Sequence, residues 1–211
     1  MNLSDWERVF EERIRQAPGG DDPAHDILHV KRVVSLANSL CKSEAGNIDV
    51  VTPAAWLHDF VIVPKDSQLR KQASRLSAEA ATEFLGNIHY PKEHFQEIFH
   101  AIEAHSFSAN IETKTIEAKI VQDADRLDGL GAIGIARCFS TAGLLKRSFY
   151  EPADPFCKTR CPDDSTFTID HFFKKPFRIS ETLQTNAGRR VGQQRIKVMQ
   201  QYLQNLASEI E

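Results

Sequence analysis

Three observations predict an all-helical fold. Apolar residues recur at intervals of three and four along most segments that lie between prolines, glycines and capping residues. No series of runs alternates apolar with polar residues as half-buried strands do. The chain has 211 residues, 41% of them hydrophobic and 26% charged, which suits a folded chain with one substantial core and excludes a disordered or collagen-like one.

The elements follow in order. Trp6, Val9, Phe10 and Ile14 share one face of a helix over Ser4 to Gln16, with Ser4 as its cap and Glu7 as the capping-box partner. Ala17 to Pro23 breaks this docking helix, and a second helix opens near His25 and runs to about Ser43 on Val30, Val33, Val34, Ala37, Leu40 and Cys41. Thr52 and Pro53 read as a cap and first helical position for a short apolar helix through Phe60 and Val61, closed by Pro64. Further helices are expected over Gln72 to Leu85, from Pro91 onward with Phe95, Ile98 and Ile102 inward, and over Thr115 to Asp128. Gly129, Gly131 and Gly134 then allow close backbone approach in or beside the next helix. From about 149 to 180 four prolines interrupt a mixture of aromatics and charges, which reads as an irregular excursion, and an amphipathic helix over about 191 to 209 closes the chain. The expected organisation is one domain over residues 1–211 with its core at about 20 to 145.

Twenty-six basic against 29 acidic residues give a net charge of -3, without the positive field that duplex nucleic acid requires. No stretch reaches the roughly 18 apolar residues of a membrane span, and the N-terminus has no leader pattern, so a cytoplasmic address is expected. Cys157 and Cys161 have half of a zinc spacing with no second half, and they read as ordinary or redox-variable thiols. The amphipathic terminal helices leave two readings, internal packing or a homodimer.

Chemistry concentrates at three places. Asp26 and His29 stand three apart on one helix face beside the buried stripe. His58 and Asp59 interrupt the apolar run Ala54 to Val63, where a carboxylate is costly unless it meets a cation or donors. Asp125 and Asp128 share a face of a later helix. Imidazole nitrogens and carboxylate oxygens from three helices make a donor set suited to Mn, Mg, Zn, Fe or Ni.

The pattern of Asp26-x-x-His29, then His58-Asp59, then Gln122-Asp-Ala-Asp-Arg-Leu-Asp128 resembles the HD-domain superfamily of metal-dependent phosphohydrolases, and within it the bacterial stand-alone proteins. The resemblance covers residues 20 to 145 or so, and more weakly His171 to Lys175 and Leu183 to Arg189. Where the subgroup has a regular leucine-bearing helix after the lysine, this chain has Lys175-Pro176-Phe177, which bears on the local pocket and not on the metal centre. The resemblance implies an HD-type helical bundle and one divalent metal held by His29, His58, Asp59 and Asp125, with Mn or Mg preferred over Co, Ni, Zn or Fe.

It further implies attack of water on a small phosphorylated compound, a nucleotide first: a nucleoside triphosphate cut to monophosphate and pyrophosphate, or a monophosphate losing its phosphate. Asp59, His25 and His105 are the candidates to accept or relay the proton. Asp26, Glu79, Asp128 and His100 are candidates to orient ligands or water. Arg32, Lys65, Lys71, Arg75, Arg126 and Lys175 are candidates to meet phosphate charge. Two alternatives stand beside this reading, a di-iron oxygenase of the same superfamily and a non-catalytic metal- or nucleotide-binding module.

Overall fold

The structure is a computed structural model and describes residues 2–16, 27–63, 67–106 and 109–210. Its helices are α1 (Leu3–Gln16), α2 (Ile27–Glu44), α3 (Ile48–Leu57), α4 (Ala73–Asn87), α5 (Phe95–His105), α6 (Ile116–Asp128), α7 (Gly131–Leu144), α8 (Asp170–Lys174), α9 (Pro176–Glu181) and α10 (Asn186–Ile210). Among the described residues there is no strand, only an isolated bridge between Ser148 and Phe167. The chain divides into two compact units, Met1–Asp125 with Gln184–Ala187, and Arg126–Leu183 with Gly188–Glu211.

In the first unit α3 is the centre. Every residue from Val50 to Leu57 is buried, as an all-round apolar helix requires, and α1, α2 and α5 pack around it while α4 lies on α5. The expected start at Thr52 is corrected: α3 begins at Ile48, where the Asn47 side chain accepts the Asp49 N–H at 3.0 Å, and the Thr52 hydroxyl instead donates to Asn38 Oδ1 at 2.8 Å. Pro53 therefore sits inside the helix, where it has no N–H to offer the Asp49 carbonyl. The Tyr90 hydroxyl donates to that carbonyl at 2.7 Å, which satisfies it from a neighbouring segment.

The expected continuation through Phe60 and Val61 does not form. The helix ends at Leu57, Phe60 N–H closes a turn on Leu57 O at 3.2 Å, and Val61 N–H goes to Ser77 Oγ. His58 and Asp59 thus stand at the end of α3 and not inside it. The capping box of α1 is also displaced: Asn2 and Asp5 exchange the two capping bonds, and Glu7 instead accepts from Trp56 Nε1 at 3.3 Å. Phe10 is fully buried, so α1 docks as expected. The expected opening of α2 near His25, like Pro64, lies outside the described residues.

In the second unit the glycines act as expected. Gly131 has φ +70, and a Cβ on Gly134 would lie 2.3 Å from the Gly129 carbonyl oxygen. The excursion is less irregular than expected, because α8 and α9 fall within it. Lys175 breaks the helical path, and Pro176 starts α9 at a position where no N–H is needed. Phe172 is fully buried and stacks on Tyr202, with ring centroids 6.0 Å apart. Helix α10 begins at Asn186, earlier than its apolar period indicates, because Glu44 accepts the Ala187 N–H at 2.5 Å.

Candidate metal centre

Four helices of the first unit deliver the donors: α2 carries His29, α3 ends at His58 and Asp59, α5 ends at His105, and α6 carries Asp125. His29 Nε2 lies 3.3 Å from His58 Nε2 and 3.6 Å from Asp125 Oδ1. His58 Nε2 is 3.6 Å from Asp59 Oδ2 and 3.9 Å from Asp125 Oδ1, and His105 Nε2 is 3.5 Å from Asp59 Oδ1. The imidazoles are almost completely buried, whereas the side chains of Asp59 and Asp125 are 34% and 28% exposed. Solvent therefore meets this cluster on its carboxylate side.

His58 and His105 are held by one repeated local device. Each lies at the end of its helix and donates Nδ1–H to the carbonyl three residues back, Ala55 at 2.8 Å and Ile102 at 2.6 Å. A carbonyl only accepts, so Nδ1 carries the proton and Nε2 is left to face the cluster. The negative ends of two helix dipoles point the same way, which favours a cation.

The electrostatics agree with the donor chemistry. Burial pushes the His58 imidazole below its ordinary value, helped by the neighbouring His105 and His29 and opposed by Asp59 and Asp125. At His105 burial acts in the same direction but is outweighed by the hydrogen bond and charge of Asp59, which hold it above the ordinary value. Burial would raise the Asp125 carboxyl, yet His58, His105 and His29 together hold it low. Two imidazole nitrogens 3.3 Å apart must share either a proton or a cation, and two carboxylates beside them provide the charge a cation needs. The residues therefore fit a divalent metal. They form two overlapping triads, His29, His58 and Asp125, and His58, Asp59 and His105. His58 belongs to both and has one free lone pair, so the set serves one ion more readily than two.

The other expected site residues fall elsewhere. His25, Asp26 and Lys65 lie outside the described residues. His100 accepts the Lys114 N–H at 2.9 Å, and Arg75 pairs with Glu79 at 3.1 Å on the exposed side of α4. Lys71 is exposed, and Arg32 is half-buried one turn beyond His29. In the second unit Asp128 accepts from Arg137 at 2.6 Å, Arg126 donates to Thr182 O and Oγ1, and Lys175 is exposed. All four cysteines are free thiols, and burial with the nearby Asp170 pushes Cys157 up to about 11. Sequence reasoning did not place His105 among the metal donors, although its position at a helix end matches that of His58.

Comparison with known proteins gives the family and the fold. Residues 27–130 match the HD domain family, and the chain is 30% identical over 194 residues to the uncharacterized protein YpgQ of Bacillus subtilis, spanning 90% of this chain and 86% of that one. The chain belongs to the HD domain family. Its fold is that of the bacterial stand-alone HD proteins: the crystal structure of Bacillus subtilis YpgQ matches with a TM-score of 0.77 and 29% identity over 100% of both chains. An HD-superfamily hydrolase from Bacillus thuringiensis matches at 0.76 and 29%, covering 99% of this chain and 98% of that one. YpgQ in complex with ADP matches at 0.74 and 28%, covering 97% and 99%. As an HD domain the chain brings together a His/Asp cluster able to hold a divalent metal.

Proposed function

We propose that this HD domain is a divalent-metal-dependent phosphohydrolase acting on a small phosphorylated compound, with a nucleotide as the first candidate. The observation that carries the reading is the gathering of three imidazole Nε2 atoms and two part-exposed carboxylates into two triads that share His58. The complex of YpgQ with ADP supports a nucleotide.

His29, His58, Asp59 and Asp125 would hold the ion, with His105 adjoining. A divalent cation there supplies Lewis acidity, polarising a phosphoryl oxygen and making water a better nucleophile. Mn and Mg suit the two carboxylates, while the imidazoles leave Co, Ni, Zn and Fe as alternatives.

The chain's own residues do the remainder. Asp59 reaches solvent and turns its two oxygens to different imidazoles, Oδ2 to His58 and Oδ1 to His105, so it orients the attacking water and accepts its proton. His105 stands behind it with Nε2 available, since Nδ1 is committed to Ile102, and it takes that proton on from Asp59 Oδ1 at 3.5 Å. Arg32, half-buried on α2 one turn from His29, is the candidate on that helix to meet phosphate charge.

The test is release of phosphate and pyrophosphate from a panel of nucleotides and phosphomonoesters by metal-stripped protein, with Mn, Mg, Co, Ni or Zn restored singly. Turnover should return with a metal, and Asp59→Ala should lose more than the roughly 10- to 100-fold typical of removing an outer partner. Phosphate alone from a monophosphate, or pyrophosphate from a triphosphate, names the scissile bond. Metal-dependent turnover unchanged in Asp59→Ala would sink the assignment.

A further inference from the structure

Outside the donor set, three polar side chains of the first unit, Gln122, Gln184 and Thr113, form a hydrogen-bonded chain. Gln122, 3% exposed, donates Nε2–H to the Ala104 carbonyl at 2.7 Å. Its Oε1 accepts from Gln184 Nε2 at 2.5 Å, and Gln184 Oε1 accepts from the Thr113 hydroxyl at 2.7 Å. The direction of the chain is fixed at its Ala104 end. A carbonyl can only accept, so Gln122 must present its amide N–H there and its oxygen to Gln184; flipping it would set lone pair against lone pair.

The geometry points to Gln122 as a positioning residue of the metal centre: by fastening α6 to the end of α5, it sets His105 against Asp59 and Asp125 beside His29 and His58. This inference rests on the metal-centre reading above. Ala104 immediately precedes His105, and its carbonyl is one that the end of α5 leaves without a helical partner. Ile102 O receives the imidazole of His105 and Ala104 O receives Gln122, so both side-chain bonds act on the last turn of α5. On α6, Gln122 and Asp125 are three residues apart and so lie near one another on the helix. The contact that fixes α6 against α5 thus also fixes where Asp125 Oδ1 falls. Gln184 is itself anchored, since its N–H and that of Thr185 go to the buried Asp123 carboxylate at 2.9 and 2.8 Å.

The test is Mn2+ titration of metal-stripped protein, with free Mn2+ read by electron paramagnetic resonance, in the parent, Gln122→Met, His105→Ala and the double variant. A melting curve is recorded for each. Gln122→Met should weaken Mn2+ binding about tenfold, in the range found for outer partners of metal ligands. In the His105→Ala background the same change should weaken binding by clearly less than in the parent, because the part of its effect that runs through His105 is gone and only the part through Asp125 remains. Gln184→Met, which removes the brace and leaves Gln122 in place, should weaken binding in the same direction by less, and it decides the matter if Gln122→Met does not fold. A purely structural Gln122 would lower the melting temperature with affinity unmoved, or weaken binding equally in both backgrounds; either outcome overturns the proposal. A parent that takes up no Mn2+ overturns the metal centre itself, whereas parent uptake with unaffected variants overturns only the role of Gln122.

Discussion

At the scale of single residues, burial separates what a side chain is from what it does. His58 and His105 sit at helix ends and His100 in the middle of α5, and of these three only the first two donate Nδ1–H to a carbonyl three residues back and turn Nε2 to the carboxylates. The sequence shows the histidines but not which ring nitrogen is occupied, since that depends on a carbonyl of the same turn. Tyr90 makes a similar case. Its hydroxyl serves a carbonyl orphaned by Pro53, a partnership between residues far apart in the chain that no local pattern announces. Burial and the nearby Asp49 push its phenol up, so it remains a donor throughout the working pH range. Tyr90→Phe keeps the ring and leaves the Asp49 carbonyl unsatisfied, and it should cost about 1 to 2 kcal/mol in urea unfolding. A loss near zero would mean that the carbonyl finds another donor.

At the scale of elements, the segment between α7 and α8 is held by one buried carboxylate. Asp170 is fully buried at the start of α8 and accepts from Arg160 Nη1 and Nη2 at 2.5 and 2.7 Å and from Asp163 N–H at 2.6 Å. Burial alone would raise its carboxyl, but the Arg160 guanidinium, the Asp163 N–H and the Cys157 thiol outweigh it and hold it below the ordinary aspartate value of 3.8. A carboxyl lowered on folding contributes stability that is fully present above the unfolded value and is lost as pH falls through the folded one. Asp170→Asn should therefore lose about 2 kcal/mol at neutral pH, toward the low side for a buried pair because Arg160 keeps some solvent. The gap from the parent should stay constant above about pH 5 and close in acid, as read from denaturation midpoints across pH. The prolines and mixed aromatics of this segment predict irregular chain correctly in the main. They miss α8 and α9, because Asp170 and Phe172 are ordered by long-range burial and not by a helical period of their own.

At the scale of the whole molecule, metal and fold are linked through the first unit, since the donors come from α2, α3, α5 and α6 and converge only when these pack. Binding to the folded chain alone at a hundredfold excess over Kd stabilises by about 2.7 kcal/mol. Mn2+ should therefore raise the melting temperature of metal-stripped protein by several degrees, and amide exchange should slow first at the ends of α3 and α5. An unchanged melting curve at saturating metal would contradict a site assembled from four helices. By itself the sequence determined the helical class, the docking of α1, the glycine approach around α7 and the three places where imidazole and carboxylate gather, because periodicity and residue type are local properties. The tertiary structure decided that α3 starts at Ile48 and stops at Leu57, that His105 comes to lie against Asp59 and His58, and that Gln122 ties α6 to α5. Each of these depends on which buried donor meets which buried acceptor across elements distant in the chain, and that pairing exists only once they are packed.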